Sequence, residues 1–428
     1  MDNSKSAGPC RTLSTLIKYK HNHFITGVLF ISGVMLGCTT DVPMSEENLG
    51  VEQADAPLEG SPSVPTVQGN TDVPTFALAP SWPAPIVSDQ SHGPDLTRNA
   101  MSIAVDPRDH VWILQTPTRE ERDDELAEIS ETPRIFEFDS AGNFVRGWGG
   151  PNTSSSWMEE PDSVLPYPSG TPAEHGMFID HQNNIWVTGN GHVALKFSLD
   201  GELLLQIGTL GTTSGSNDTQ LLGNSCELTI DPTTNEVYIA DGYINRRVIV
   251  FDALSGDYKR HWGAYGNRPI DFRLLDNGLY ADSTELHDPE GPVQQQFLAV
   301  HCVRVSRDGL VYVCDRQRNR VQVFQRDGTF VTEVSIAAGT PAELGFPAGI
   351  GSVNFGSAST IGFSADAEQE FLYVGDNMNA KIWIFRRLTL ELLSSLNTKS
   401  QANHYLSVDS AGNIYNSGLQ KFMLQGIR

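Results

Sequence analysis

One unit recurs six times between about residue 76 and Arg428, and a repeat of that kind admits very few architectures. Each unit opens on a short apolar strand ending in Asp or Ser: SIAVD (102–106), MFID (177–180), LTID (228–231), VRVS (303–306), IGFS (361–364) and LSVD (406–409). A turn follows, then a second strand with an aromatic: HVWIL (110–114), NIWVT (184–188), EVYIA (236–240), LVYVC (310–314), FLYVG (371–375) and NIYNS (413–417). The third strands read RIFEFD (134–139), ALKFS (194–198), RVIVFD (247–252), RVQVFQ (320–325), KIWIFR (381–386) and KFML (421–424). Alternation or a short apolar run between turn residues is the signature of a strand, and 39 Gly and 24 Pro furnish the turns.

Six such units predict an all-β chain folded as a six-bladed β-propeller over residues 75–428. Stretches such as NFVRGW (143–148) and TFVTEV (329–334) supply a fourth, outer strand. The sixth unit stops after its third strand, while an unassigned strand around 75–82 precedes the first. Pairing the two closes the ring and leaves no free edge.

The N-terminal stretch predicts a compartment. Lys18 and Lys20 precede an apolar run, 24–36, too short to span a bilayer comfortably. It ends in Met35-Leu36-Gly37-Cys38, which resembles a bacterial lipobox. The expectation is a signal peptide over 1–37, a lipidated Cys38, and membrane attachment through that lipid alone. Thr39 after the cysteine points to the outer membrane, facing periplasm or exterior. Residues 38–74 read as a disordered acidic linker, with no Lys or Arg between Lys20 and Arg98. A net charge of −23 argues against nucleic acid as a partner, and a monomer is expected. Cys302 and Cys314 fall on adjacent strands of one hairpin, where a disulfide and two buried thiols are both open readings.

Aligning the units on their first strands brings one position into register. It holds Met101, His175, Cys226, His301, Ser359 and His404. The three histidines fall in alternate blades, related by about 120° around a channel lined by the first strands. Three imidazoles converging on one axis make a three-His metal site with an open coordination position, and zinc suits neutral imidazoles.

The segment EVYIADGYINRRVIVFD (236–252), with EHGMFID (174–180) and VHCVRVSRDGLVYVCDRQRNRVQVF (300–324), resembles NHL-repeat propellers. Within them it is similar to peptidyl-α-hydroxyglycine α-amidating lyase and to related bacterial lipoproteins, over about residues 95–425. The resemblance implies a zinc ion on His175, His301 and His404, and Tyr243 of the DGY motif as base. It also implies an arginine for the substrate carboxylate. The family's arginine would lie at the end of the second strand of blade one, where this chain reads Ile113-Leu114-Gln115-Thr116-Pro117-Thr118-Arg119. Arg119 and Arg247 are then the candidates, Arg247 also occupying the place of a repeat arginine that packs between strands. Tyr405 stands where the family has a calcium-binding Asp, which argues against structural calcium.

The implied reaction breaks an N–C bond at a hydroxylated α-carbon of a peptide or small molecule held in the channel, releasing an amide and glyoxylate. A metal lowers the hydroxyl's pKa. A tyrosine beside a cation ionises more easily. Two other readings stand beside this one. The first is a non-catalytic, membrane-tethered propeller that binds a protein or glycan through the insertions at 115–132 and 267–296. The second, a calcium-dependent lactonase-like hydrolase, needs Glu, Asp and Asn on the axis, where the register offers His, Cys, Ser and Met.

Overall fold

The aspartate that ends a first strand is what holds a blade's first hairpin together. In blade two, Asp180 Oδ1 accepts the backbone N–H groups of Gln182 and Asn184 at 2.9 and 2.8 Å, and Oδ2 accepts the indole N–H of Trp186 at 3.0 Å. Blade one repeats the arrangement with Asp106, the N–H groups of Arg108 and His110, and Trp112; blade six repeats it with Asp409 and the Tyr415 hydroxyl. The recurring acid and the aromatic six residues later are therefore one device. The acid satisfies turn donors that the ladder cannot reach, and it lets a large ring be buried with its polar atom paired.

The computed structural model describes residues 72–85, 94–96, 99–116, 133–150, 157–158, 174–271, 295–340 and 356–428, all within the compact unit Gln68–Arg428. These residues form six four-stranded antiparallel sheets. The first strands are Ser102–Val105, Glu174–Ile179, Glu227–Asp231, Val300–Val305, Thr360–Phe363 and Leu406–Val408. Each packs against the first strands of both neighbouring blades, the sixth against the first, so the ring is complete. The outer strand of blade six is Pro74–Leu78, antiparallel to Gln420–Ile427. This is the closure that the strand count required, one residue earlier than the expected boundary.

Apolar side chains collect between blades rather than on the axis. Among the described residues there are six buried clusters, one at each interface; Trp186 of blade two, for example, shares a cluster with Val237 and Phe251 of blade three. Burying one such side chain contributes about 1.5–3 kcal/mol. The inner strands are covered on both faces, whereas an outer strand such as Leu203–Gly208 alternates between partly buried and exposed positions. Polar first-strand residues are thus left to face the channel. Cys302 and Cys314 are cross-strand partners joined by a disulfide, which resolves the two readings left open by the sequence.

Candidate active site

All six residues of the aligned register take part in one construction. His175 Nδ1 lies 3.0 Å from the carbonyl oxygen of Cys226, His301 Nδ1 lies 2.5 Å from that of Ser359, and His404 Nδ1 lies 2.9 Å from that of Met101. Each imidazole therefore donates to the register residue of the next blade. A carbonyl can only accept, so every Nδ1 carries the proton and every Nε2 presents a lone pair. Gly176 makes the first of these contacts feasible, because a Cβ there would stand 2.2 Å from the Cys226 oxygen.

The lone pairs converge. One ligand nitrogen from each ring can be chosen so that all lie within 4.8 Å of one another, and His301 Nε2 is 3.1 Å from His404 Nε2. Burial, with help from the Arg316 charge, depresses all three imidazoles, His175 to about 4 and the others well below their ordinary value. They are neutral at physiological pH. Two neutral nitrogens facing each other with no proton between them repel, and a cation removes the repulsion. Two nitrogens on a tetrahedral zinc lie roughly 3.3 Å apart for Zn–N bonds of about 2.0–2.1 Å. The donor set fits that ion, and the His301–His404 pair has its spacing.

Tyr243 stands over the trio. Its ring centroid is 5.5 Å from that of His175 and 5.8 Å from that of His301, and its hydroxyl is 3.2 Å from His175 Nε2. The turn that carries it lies against blade four because residue 242 is glycine; a Cβ would meet the Val300 backbone at 2.5 Å. Arg316, from the equivalent turn of blade four, donates from Nη1 to the Tyr243 hydroxyl at 3.1 Å. The expectation that a neighbouring cation eases this tyrosine's ionisation meets an opposing effect. Burial pushes the hydroxyl up, and Arg316 only partly offsets it.

The structure thus brings together His175, His301, His404 and Tyr243. Arg247 is elsewhere engaged, and its candidacy as a catalytic group is corrected here. Its guanidinium is fully buried on the Asp241 carboxylate and on the carbonyls of Ser216, Asp218 and Leu221, where it braces the Tyr243 turn. Arg119 lies outside the described residues, as do Cys38 and the segments 1–37 and 38–71. Arg316 is the residue that sequence reasoning passed over. Its signal was available: Asp315 and Arg320 match Asp241 and Arg247, which places Arg316 in the turn of blade four equivalent to the one that carries Tyr243 in blade three. A second group, Asp106, His110 and Glu137, also has metal-ligand spacing, but Arg108 and Arg146 already neutralise its carboxylates.

Comparison with known proteins agrees with the repeat reading. An NHL repeat matches residues 297–324, the first three strands of blade four. Human NHL repeat-containing protein 3 is 28% identical over 205 residues, 46% of each chain. Peptidyl-glycine alpha-amidating monooxygenase B of Xenopus laevis is 27% identical over 163 residues, 37% of this chain and 16% of that protein. The rat peptidylglycine alpha-amidating monooxygenase is 27% identical over 170 residues, 38% of this chain and 15% of its own length. The chain therefore spans less than half the length of these relatives. A solved streptogramin B lyase structure covers 76% of this chain and 94% of its own at 11% identity and a TM-score of 0.43. The chain is an all-β, six-bladed propeller with an NHL repeat, distantly similar to the peptidylglycine amidating enzymes.

Proposed function

We propose that this chain is a zinc-dependent lyase that breaks the N–C bond of a hydroxylated α-carbon, as in a peptide ending in α-hydroxyglycine. The observation that carries the reading is the inward convergence of three neutral imidazoles, each fixed through Nδ1, beneath a tyrosine hydroxyl and a guanidinium. A zinc ion held by His175, His301 and His404 would acidify the substrate hydroxyl.

Tyr243, as the tyrosinate that Arg316 and a bound cation would favour, would take that proton. As the C–N bond breaks, the hydroxyl oxygen's electrons form the new carbonyl of glyoxylate, and the departing nitrogen receives the proton from Tyr243. Atoms and charge balance with no oxidant. Arg316 favours the ionised tyrosine and is the nearby cation suited to the substrate carboxylate. Calcium has no part in this reading. The test is glyoxylate release from a peptide ending in α-hydroxyglycine, with zinc measured in the same sample. A zinc-loaded chain that releases none overturns the activity. We also read Cys38 as lipidated and the protein as a cell-envelope lipoprotein; metabolic labelling with a palmitate analogue, lost in Cys38→Ser, tests it.

A further inference from the structure

Blades six and three face each other across the channel, yet the Tyr405 hydroxyl, from the start of blade six, reaches the Cys226 carbonyl of blade three at 2.5 Å. The same hydroxyl is 2.9 Å from His175 Nδ1. The roles follow from the partners. The phenol donates to the carbonyl, which can only accept, and shares with that carbonyl the single Nδ1–H of His175. Neither His301 nor His404 has such a hydroxyl on its Nδ1 among the described residues.

The Tyr405 ring lies close to all three imidazoles, with centroids 5.8 Å from His175, 6.0 Å from His301 and 4.9 Å from His404. It is fully buried. Next along the strand towards the opposite mouth, Leu406, Ser407 and Val408 line a cavity of about 450 Å³, together with Arg304. Arg304 pairs with the buried Glu227. Tyr243 and Arg316, in contrast, belong to turns at the end where the first strands begin.

We propose that Tyr405 is a cross-channel strut: it fixes the ring of His175 and closes the far side of the three-His centre, so that substrate reaches the open coordination position only from the Tyr243 and Arg316 side. The proposal rests on the metal-centre reading for its consequence and on the protein's own hydrogen bonds for its existence. His175 is the imidazole whose Nε2 meets the Tyr243 hydroxyl, so the strut orients the ligand beside the candidate base. Two tyrosine hydroxyls flank one imidazole, Tyr405 on Nδ1 and Tyr243 on Nε2.

The test uses Tyr405→Phe in the full chain, which keeps the ring and removes both hydrogen bonds. In the metal-free protein the variant is expected to move the ¹⁵N resonances of His175 and leave those of His301 and His404 in place. Zinc affinity, measured by chelator competition, is expected to fall about 10- to 100-fold, the usual effect of losing an outer-shell partner. In Tyr405→Ala the cobalt-substituted spectrum is expected to gain five-coordinate character as water enters from the far mouth. The unaltered protein should also show a slowly exchanging Tyr405 hydroxyl proton with a cross-peak to the His175 ring, a measurement that needs no variant. An unshifted His175 in Tyr405→Phe, or the absence of that protected proton, overturns the strut. If the His175 shift is found but the unaltered chain binds no zinc, the strut stands and the metal reading falls.

Discussion

His404 Nδ1 lies 2.9 Å from the carbonyl oxygen of Met101, a residue 303 positions earlier in the chain. No local interaction brings these two together; ring closure does. Blade six must meet blade one before the third imidazole is oriented. The prediction is that His404→Ala leaves the blades folded, because the side chain lies on the axis and outside the six inter-blade clusters. Metal retention should collapse, since two nitrogens cannot hold zinc against competition as three do. Elemental analysis after dialysis should give a full zinc per chain for the unaltered protein and less than about a tenth for the variant. Equal retention in both would remove His404 from the ligand set.

Tyr243→Phe isolates the hydroxyl. The ring keeps its edge contacts with His175 and His301, and the 3.2 Å and 3.1 Å contacts to His175 and Arg316 disappear. If the hydroxyl moves the proton, kcat for glyoxylate release falls by about 10²- to 10⁴-fold, while KM and zinc content stay near their original values. A fall in zinc content instead would make the hydroxyl a structural partner of His175.

The repeat was the most legible part of the sequence, because each blade solves the same local problem with the same residues. Asp180 and Trp186, six positions apart, advertise a turn and its covering ring wherever they recur. The histidine register was legible for a related reason, since one residue in each first strand must face the axis. Arg316 was not. Its importance depends on two turns from different blades meeting over the channel, and its flanks, Asp315 and Arg320, read as ordinary repeat residues. Arg247 misled for the complementary reason. It stands four residues from Tyr243 in sequence, but strand direction turns its guanidinium onto Asp241. Tyr405 could be placed beside a histidine by sequence, but nothing local says that its hydroxyl crosses to blade three.

Glu236 offers a pH test away from the site. The Arg260 guanidinium beside it holds its carboxyl below the ordinary value, against the opposing effect of burial. The folded state therefore gives up this proton more readily than the unfolded chain does. Stability from the pair is complete above the unfolded value, near 4.5, and is lost as pH falls through the lower folded one. Glu236→Gln should cost about 1 kcal/mol at neutral pH, and the difference should vanish in acid, below the folded value. Urea unfolding at the two pH values checks this. A difference that persists in acid would mean lost packing rather than lost charge.

Phe76 tests whether closure and metal binding are coupled. It lies on the strand Pro74–Leu78, which completes blade six, and its ring meets Tyr373 of blade five edge-on at 5.8 Å. It also packs against the cluster between blades five and six. Phe76→Ala removes part of that packing and should cost about 2–3 kcal/mol, at the lower end for an aromatic because the site is only partly buried. The less obvious consequence concerns zinc. If the Met101 carbonyl orients His404 only while blades six and one are joined, then transient opening of the ring frees that ligand. Phe76→Ala should then lose zinc to a chelator faster than the unaltered protein, by roughly the factor by which the opened state is enriched. A destabilised variant with unchanged zinc release would show that blade six stays docked on blade one without its outer strand, and that the site is assembled by the inner strands alone.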